Sequence, residues 1–502
     1  YHVCLLSKTT CNEIIFSCLL LARSATPNIF RQNNTVSTTE NCQNNAFRNV
    51  IFVKIAQLFE MFSIFVPINQ VFMDEKVILQ VLAEQREEMS GYDVSGWISR
   101  PEEDFFEWDS DMAQVVIGVR RSGKSTLCHK ALIQHGVKYG YSDLDDDRLL
   151  GMEAKDLNTL LGCMYQLYGV DVKYLFFDEI QDVPGWHLFV NRLLRQGLRI
   201  VLTGSNAKLL SSELATHLTG RYNEIKLYPF SYAELCDAEK VDVKGITTKA
   251  DAARKIALEA YLNDGGFPEL MKLRNPRGRR TYIEGLIETI ITKDIAKRFN
   301  IRNPESIRRI AYHLINNSCQ VIDYKTLAEI SNLKTAATAQ KYTSYLAQAF
   351  LIHPLQKFSY KSKERITGEK AYVVDQGFVS NRGNSLLGEN MGWRLENAVL
   401  MELLRRYCSA AEDIYYYKPS TRQKEVDFVV CRQNVVLELI QVAYDISDSK
   451  TYRRETESLI LASSKLNCGN LWLICMDETR DVTVNNQTIH IVNAIEWFLN
   501  KR

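Results

Sequence analysis

The chain has 502 residues, about three times the length of one typical domain, so it must hold several domains and is neither a peptide hormone nor a minimal scaffold. A hydrophobic content of 46% with 24% charged residues excludes a disordered, fibrous or mostly lipid-embedded chain. Sixty-one Lys and Arg balance 60 Asp and Glu to a formal charge of +1, so contact with nucleic acid or an anionic membrane must come from a local patch rather than a global field.

Residues 1–72 differ from the rest. They carry only five basic residues (Lys8, Arg23, Arg31, Arg48, Lys54) and three acidic ones (Glu13, Glu40, Glu60), hold four of the twelve cysteines, and include the polar run Asn33–Asn45. The stretch Ile14–Ala22 is too short for a membrane span, and Val50–Phe72 is interrupted by Lys54 and Glu60, so no membrane anchor is expected. From Met73, Val77, Ile78, Val81 and Leu82 recur at helical spacing, and the expected start of translation is Met73, with 1–72 a non-native extension or disordered. The cysteines form no Cys-x-x-Cys pair and no zinc-spaced cluster, which points to reduced thiols and the cytoplasm.

Next in the chain, Gln114–Ile117 reads as a short strand feeding Gly118, Val119, Arg120, Arg121, Ser122, Gly123, Lys124, Ser125 and Thr126, and then a helix. This satisfies Gly-x-x-x-x-Gly-Lys-Ser/Thr: backbone N–H groups wrap a phosphate, Lys124 reaches the β- and γ-phosphates, and the Ser125 hydroxyl ligates Mg²⁺. The residue types do not separate Arg120 from Arg121 as the one facing the sheet. A further strand candidate, Tyr139–Asp145, comes before Tyr174–Asp178, whose end supplies the carboxylates this chemistry needs. Asp178 would hold the Mg²⁺ shell and Glu179 would polarise the attacking water, the arrangement of a hydrolase. After a helix at Trp186–Arg195, the strand segment Arg199–Asn206 ends in small polar residues, Ser205 and Asn206 among them, suited to reporting on a γ-phosphate.

These segments, with Leu218-Thr-Gly-Arg221, Tyr228-Pro-Phe-Ser, Gly265-Gly-Phe-Pro-Glu269 and Tyr372-Val-Val-Asp375-Gln-Gly, resemble the prokaryotic AAA-type ATPases that carry an appended C-terminal domain of unknown function. The resemblance runs from about Met73 to the end. It implies an α/β fold with an additional-strand P-loop core at 73–235, ATP rather than GTP with Mg²⁺, Ser205 or Asn206 as sensor, and Arg221 as an arginine finger.

The helix-rich span 236–304 would be a lid over the nucleotide; its basic knot, Arg274, Arg277, Arg279 and Arg280, suits a solvated face or an intramolecular partner better than DNA. Residues 305–375 read as helix (Glu305–Asn316), helix (Tyr324–Ser331), helix (Lys334–Phe350), strand (Leu351–Lys357), basic loop (Lys361, Lys363, Arg365, Lys370) and strand (Ala371–Val374), the order of a winged helix-turn-helix. Its third helix would offer Lys334, Thr335, Thr338, Gln340, Lys341 and Thr343 to DNA. In 376–502, Glu396 on a helix, Asp427 on a strand and either Gln441 or Glu438 after it resemble the restriction-endonuclease-like fold, but neither alternative brings the lysine, so binding is expected rather than cleavage. The expected function is Mg²⁺-dependent ATP hydrolysis driving change in the C-terminal domains, with DNA, a protein partner or further copies of the chain as partners. The alternatives are a nucleotide-gated DNA-binding regulator and a mobile-element or defence nuclease.

Overall fold

The computed structural model describes residues 73–205, 218, 220–360, 368–380, 390–407, 412–419 and 424–500. Contacts divide the chain into Tyr1–Val71 and Phe72–Arg502, and all described residues belong to the second unit. The extension expected at 1–72 and the loop residues Lys361, Lys363 and Arg365 lie outside them. Among the described residues no helix is long and apolar enough to cross a membrane.

Helix α1 (Glu75–Ser90) begins where Asp74 accepts a hydrogen bond from the Lys76 N–H, and it buries Ile78, Val81 and Leu82 as their spacing requires. Strands β1 (Ala113–Ile117), β2 (Tyr139–Asp143), β3 (Tyr174–Asp178), β4 (Arg199–Gly204) and β5 (Tyr222–Lys226) form a parallel sheet in the order β2-β3-β4-β1-β5. Strand β4 therefore separates the loop-bearing β1 from the acid-bearing β3, the additional-strand arrangement. Alternate residues face opposite layers. Val115, Ile117, Leu175, Phe177, Ile200 and Leu202 pack with α1, α3 (Leu157–Tyr168) and α4 (Trp186–Arg195). Val116, Phe176, Val201 and Ile225 pack with Leu127 and Leu132 of α2 (Lys124–Gln134). Both faces are covered, so the inner strands β1, β3 and β4 are mostly apolar, and each large buried side chain contributes roughly 1.5–3 kcal/mol.

Downstream, α5 (Tyr232–Ala238), α6 (Thr248–Asp264), α7 (Pro268–Lys272) and α8 (Pro276–Thr289) lead into a π-helix, Ile290–Lys297. Then come α9 (Pro304–Asn316), β6 (Gln320–Val321), α10 (Tyr324–Ile330), α11 (Ala336–Gln348), β7 (Ile352–Leu355) and β8 (Lys370–Val373). The third helix starts later than its sequence suggests because Thr335 is its cap, accepting from the Thr338 N–H. Strand β6, two residues long and without an apolar alternation to reveal it, makes the sheet three-stranded in the order β6-β8-β7. Two expectations fail here: Thr343 is buried, its hydroxyl spent on the Ala339 carbonyl, and Lys370 is a buried strand residue instead of part of a basic loop.

After α12 (Gly377–Ser380) and α13 (Met391–Tyr407), six strands form a mixed sheet: β9 (Glu412–Tyr417), β10 (Val426–Arg432), β11 (Val435–Val442), β12 (Leu471–Cys475), β13 (Arg480–Val484) and β14 (Gln487–Asn493), ordered β13-β14-β12-β11-β10-β9. Helices α14 (Ser449–Leu466) and α15 (Ala494–Leu499) cover it. The two downstream sheets are joined where Phe358 N–H donates to Tyr416 O at 2.6 Å and Tyr416 N–H to Gln356 O at 3.1 Å. A second joint links α6 to the exit of β8: the Asp375 carboxylate accepts from Gly266 N–H at 2.7 Å and Gly377 N–H at 2.8 Å. A methyl on Gly265 would lie 1.9 Å from Asp375 Oδ1, and one on Gly266 2.0 Å from Phe230 O, which is why both positions are glycine.

Candidate functional site

The loop Gly118–Gly123 leaves the carboxyl end of β1, and three backbone features shape it. A methyl on Gly118 would lie 2.0 Å from Leu227 O, so only glycine lets the loop pass the strand beside it. Arg121 (φ 70°) and Gly123 (φ 95°) adopt left-handed backbone, which curls successive amides toward one concavity ahead of α2. Lys124 is the first residue of that helix and is 5% exposed; its Nζ donates to Val119 O at 3.3 Å and stands 3.7 Å from Glu179 Oε1.

The parallel register brings the ends of β2, β3 and β4 to the same edge. There Asp178 accepts hydrogen bonds from the hydroxyls of Ser125 and Thr203, and from Tyr141 at 3.4 Å. Burial and the neighbouring Glu179 push the Asp178 carboxyl above its ordinary range. Asp143, opposite Asp178 in the sheet, is pushed up to about 7 by burial and by Asp178. Glu179 behaves differently: burial would raise it, but Lys124 and Arg120 hold it below its ordinary value. It takes a left-handed turn (φ 51°), donating its N–H to Thr203 Oγ1 at 3.0 Å and accepting from Ser205 N–H at 3.2 Å and from the Gln181 amide. The expected residues Lys124, Ser125, Asp178, Glu179 and Ser205 thus converge.

The two loop arginines separate cleanly. Arg120 turns inward, with Asp145 at 3.2 Å and Asp294 at 3.0 Å, while Arg121 is exposed. Thr126, also exposed, lines with Gly123, Leu127, Trp97, Ile98, Phe230 and Met271 a cavity of about 480 Å³ beside the loop. Pro268, Met271 and Lys272 in that wall come from α7, so the segment expected as a lid reaches the loop. Asn206 lies outside the described residues. Arg221 is exposed and precedes β5, its carbonyl accepting from Ala113 N–H at the start of β1. That is the sheet edge opposite the loop, so Arg221 does not enter this chain's own site. Of the basic knot, Arg279 pairs with Asp264 and Arg280 with Glu284. Sequence reasoning missed Thr203, Asp143 and Asp294; the signal for Asp294 was a lone carboxylate among Ile290, Ile291 and Ile295.

In the C-terminal sheet a cavity of about 570 Å³ is lined by Glu396, Asp427, Gln441 and Glu455, with Ala443 where a lysine was sought. Asp427 accepts from Val442 N–H at 2.9 Å, and Gln441 Nε2 donates to Glu455 at 2.7 Å. Glu438 bonds elsewhere, to Tyr407 and Asn470, so of the two alternatives it is Gln441 that shares the cavity with Asp427. Lys370 enters from β8 and pairs with Glu396 at 3.4 Å and with Glu425. Burial pushes the Glu396 and Asp427 carboxyls up.

Strand order, loop and acidic strand end define an AAA-type P-loop ATPase domain. Residues 110–236 match the family described as AAA domain, 255–387 a domain of unknown function (DUF8612), and 391–496 another (DUF4143). The chain is 32% identical over 400 residues to the uncharacterized protein MJ1544 of Methanocaldococcus jannaschii, covering 77% of this chain and 88% of that one. It is also 32% identical over 373 residues to an uncharacterized protein of Haemophilus influenzae, covering 70% and 86%. The chain belongs to the family of these two proteins. Similar solved structures include the Walker-type ATPase PABY2304 of Pyrococcus abyssi (14% identity, 62% of this chain and 96% of that, TM-score 0.37). Another is the RuvB Holliday junction branch migration motor of Thermotoga maritima (16% identity, 57% and 91%, TM-score 0.25).

Proposed function

We propose that this chain binds ATP with Mg²⁺ and hydrolyses it, using the step to change how its downstream domains bind DNA or protein. The observation that carries the reading is the convergence of Lys124, Ser125, Asp178 and Glu179 at the carboxyl ends of β1 and β3. In it, the amides of Gly118–Thr126 wrap the phosphates and Lys124 exchanges the Val119 carbonyl for a phosphate oxygen. The oxygen donors of Ser125 and Asp178 fit a hard cation, which when bound offsets phosphate charge. Glu179, held ionised beside Lys124, accepts the proton of the attacking water, and Ser205 tracks the γ-phosphate. Arg221, on the far sheet edge, would act as an arginine finger only on a neighbouring copy.

For 305–375, three helices and a β6-β8-β7 sheet support a winged helix in which the turn entering α11 exposes Lys334 and Thr335, and α11 exposes Gln340 and Lys341, toward a nucleic-acid backbone. For 376–502, Glu396, Asp427 and Gln441 on one cavity support a nuclease-like fold, while Ala443 supports binding over cleavage. The test is single-turnover ATP hydrolysis by wild type, Lys124→Ala and Glu179→Gln. The reading expects turnover to fall roughly a hundredfold in both variants, with ATP still bound by Glu179→Gln. Turnover unchanged in either variant would refute it.

A further inference from the structure

A π-helix is rare and tends to sit at functional sites, and Ile290–Lys297 lies against the edge of the sheet where the site converges. Its apolar residues Ile290, Ile291 and Ile295 are buried in the core, and between them Asp294 is only 3% exposed. An isolated carboxylate there is costly unless it is paired, and this one is paired with two residues of the site. Arg120 Nε and Nη2 reach its two oxygens at 3.2 and 3.0 Å, a bidentate grip. Ser205 Oγ donates to Oδ1 at 3.1 Å. Ser205 in turn donates its N–H to Glu179 Oε2 at 3.2 Å. A continuous chain of hydrogen bonds therefore runs from Asp294 through Ser205 to Glu179, and Asp294 also fixes the guanidinium of Arg120. Neighbours on the same turn anchor the π-helix further: Lys293 pairs with Asp145 at 3.3 Å, and Arg298 with Asp182 at 3.3 Å.

We propose that Asp294 is a positioning residue for ATP hydrolysis, fixing the Ser205 hydroxyl and the Arg120 guanidinium so that Glu179 keeps its orientation. The inference rests on the ATPase reading above. Asp294 bonds the guanidinium of the loop residue Arg120 but neither Lys124 nor the loop amides, so its removal is expected to act on the chemical step more than on binding. It also ties that step to α9, which the π-helix leads into.

Full-length wild type, Asp294→Asn, Asp294→Glu, Ser205→Ala and the double variant Asp294→Asn/Ser205→Ala are compared by turnover and by binding of a fluorescent ATP analogue. Asp294→Asn is expected to lower kcat about tenfold or more while nucleotide affinity stays within about threefold, and Asp294→Glu to recover part of kcat. Ser205→Ala reaches the same chain from the other end, and the double variant is expected to fall no further than the worse single, within about twofold. Unchanged kcat in Asp294→Asn, or affinity and kcat falling together in Asp294→Asn, Asp294→Glu and Ser205→Ala, would overturn the proposal while wild-type turnover left the ATPase reading standing. Absence of wild-type turnover would instead remove that reading, and the proposal with it.

Discussion

The Lys124 ammonium stands 3.7 Å from Glu179 Oε1, both side chains largely buried, so the loop and the acidic strand end neutralise one another directly. Removing one partner strands the other in a poorly solvated place. Lys124→Met is expected to destabilise the protein by roughly 1–3 kcal/mol without nucleotide, and Lys124→Met/Glu179→Gln by less than the sum of the single changes. Denaturant unfolding of the four proteins measures this coupling.

Two glycines of one loop should respond differently to the same added methyl. At Gly118 the methyl meets Leu227 O at 2.0 Å, whereas at Gly123 it meets nothing within 4 Å and only the φ of 95° is unfavourable. Gly123→Ala should cost about 1 kcal/mol, and Gly118→Ala roughly 2–3 kcal/mol together with a displaced loop. Thermal unfolding ranks them, and nucleotide binding should fail first in Gly118→Ala.

Asp143 carries a pH dependence. Its carboxyl is pushed up to about 7 in the folded chain, against an ordinary value near 3.8, so the folded state holds its proton more tightly. The stability this contributes is complete below the ordinary value and is lost as pH rises through about 7. Unfolding free energy should therefore fall from about pH 5 to about pH 8, and less steeply in Asp143→Asn. Urea titrations at both values would show it; equal slopes would refute it.

Two carboxylates that line the C-terminal cavity, Glu396 and Glu425, share a buried cation, although no lysine stands where one was sought beside Gln441. Lys370 faces Glu396 and Glu425, and with it removed these carboxylates and Asp427 repel. Lys370→Met should cost roughly 3–5 kcal/mol at about pH 8, and less at about pH 5, where the already raised Glu396 and Asp427 take up protons. Unfolding at the two pH values separates charge from packing.

The core was legible because local signals there agree with the global sheet. Gly118, Gly123 and Lys124 are spaced by the backbone path of a phosphate loop, and Tyr174–Asp178 is apolar up to its acid because both faces are covered. Strand β5 escaped notice because Tyr222–Lys226 is polar at three of five positions, lying at the sheet edge. Asp294, Arg120 and Lys370 were missed as partners because their contacts span 174 and 26 residues of chain, and no local period records such pairings. Thr343 misled because a hydroxyl reads as surface until its helix supplies an acceptor four residues back.

The clasp at Asp375 constrains how force is transmitted through the molecule. With a carboxylate bonded to the amides of Gly266 and Gly377, and no room for a side chain at Gly265 or Gly266, the turn before α7 and the exit of β8 behave as one welded corner. Any displacement of α7 over the cavity beside Gly123 would therefore pull on the β6-β8-β7 sheet, with no need for an intervening lever.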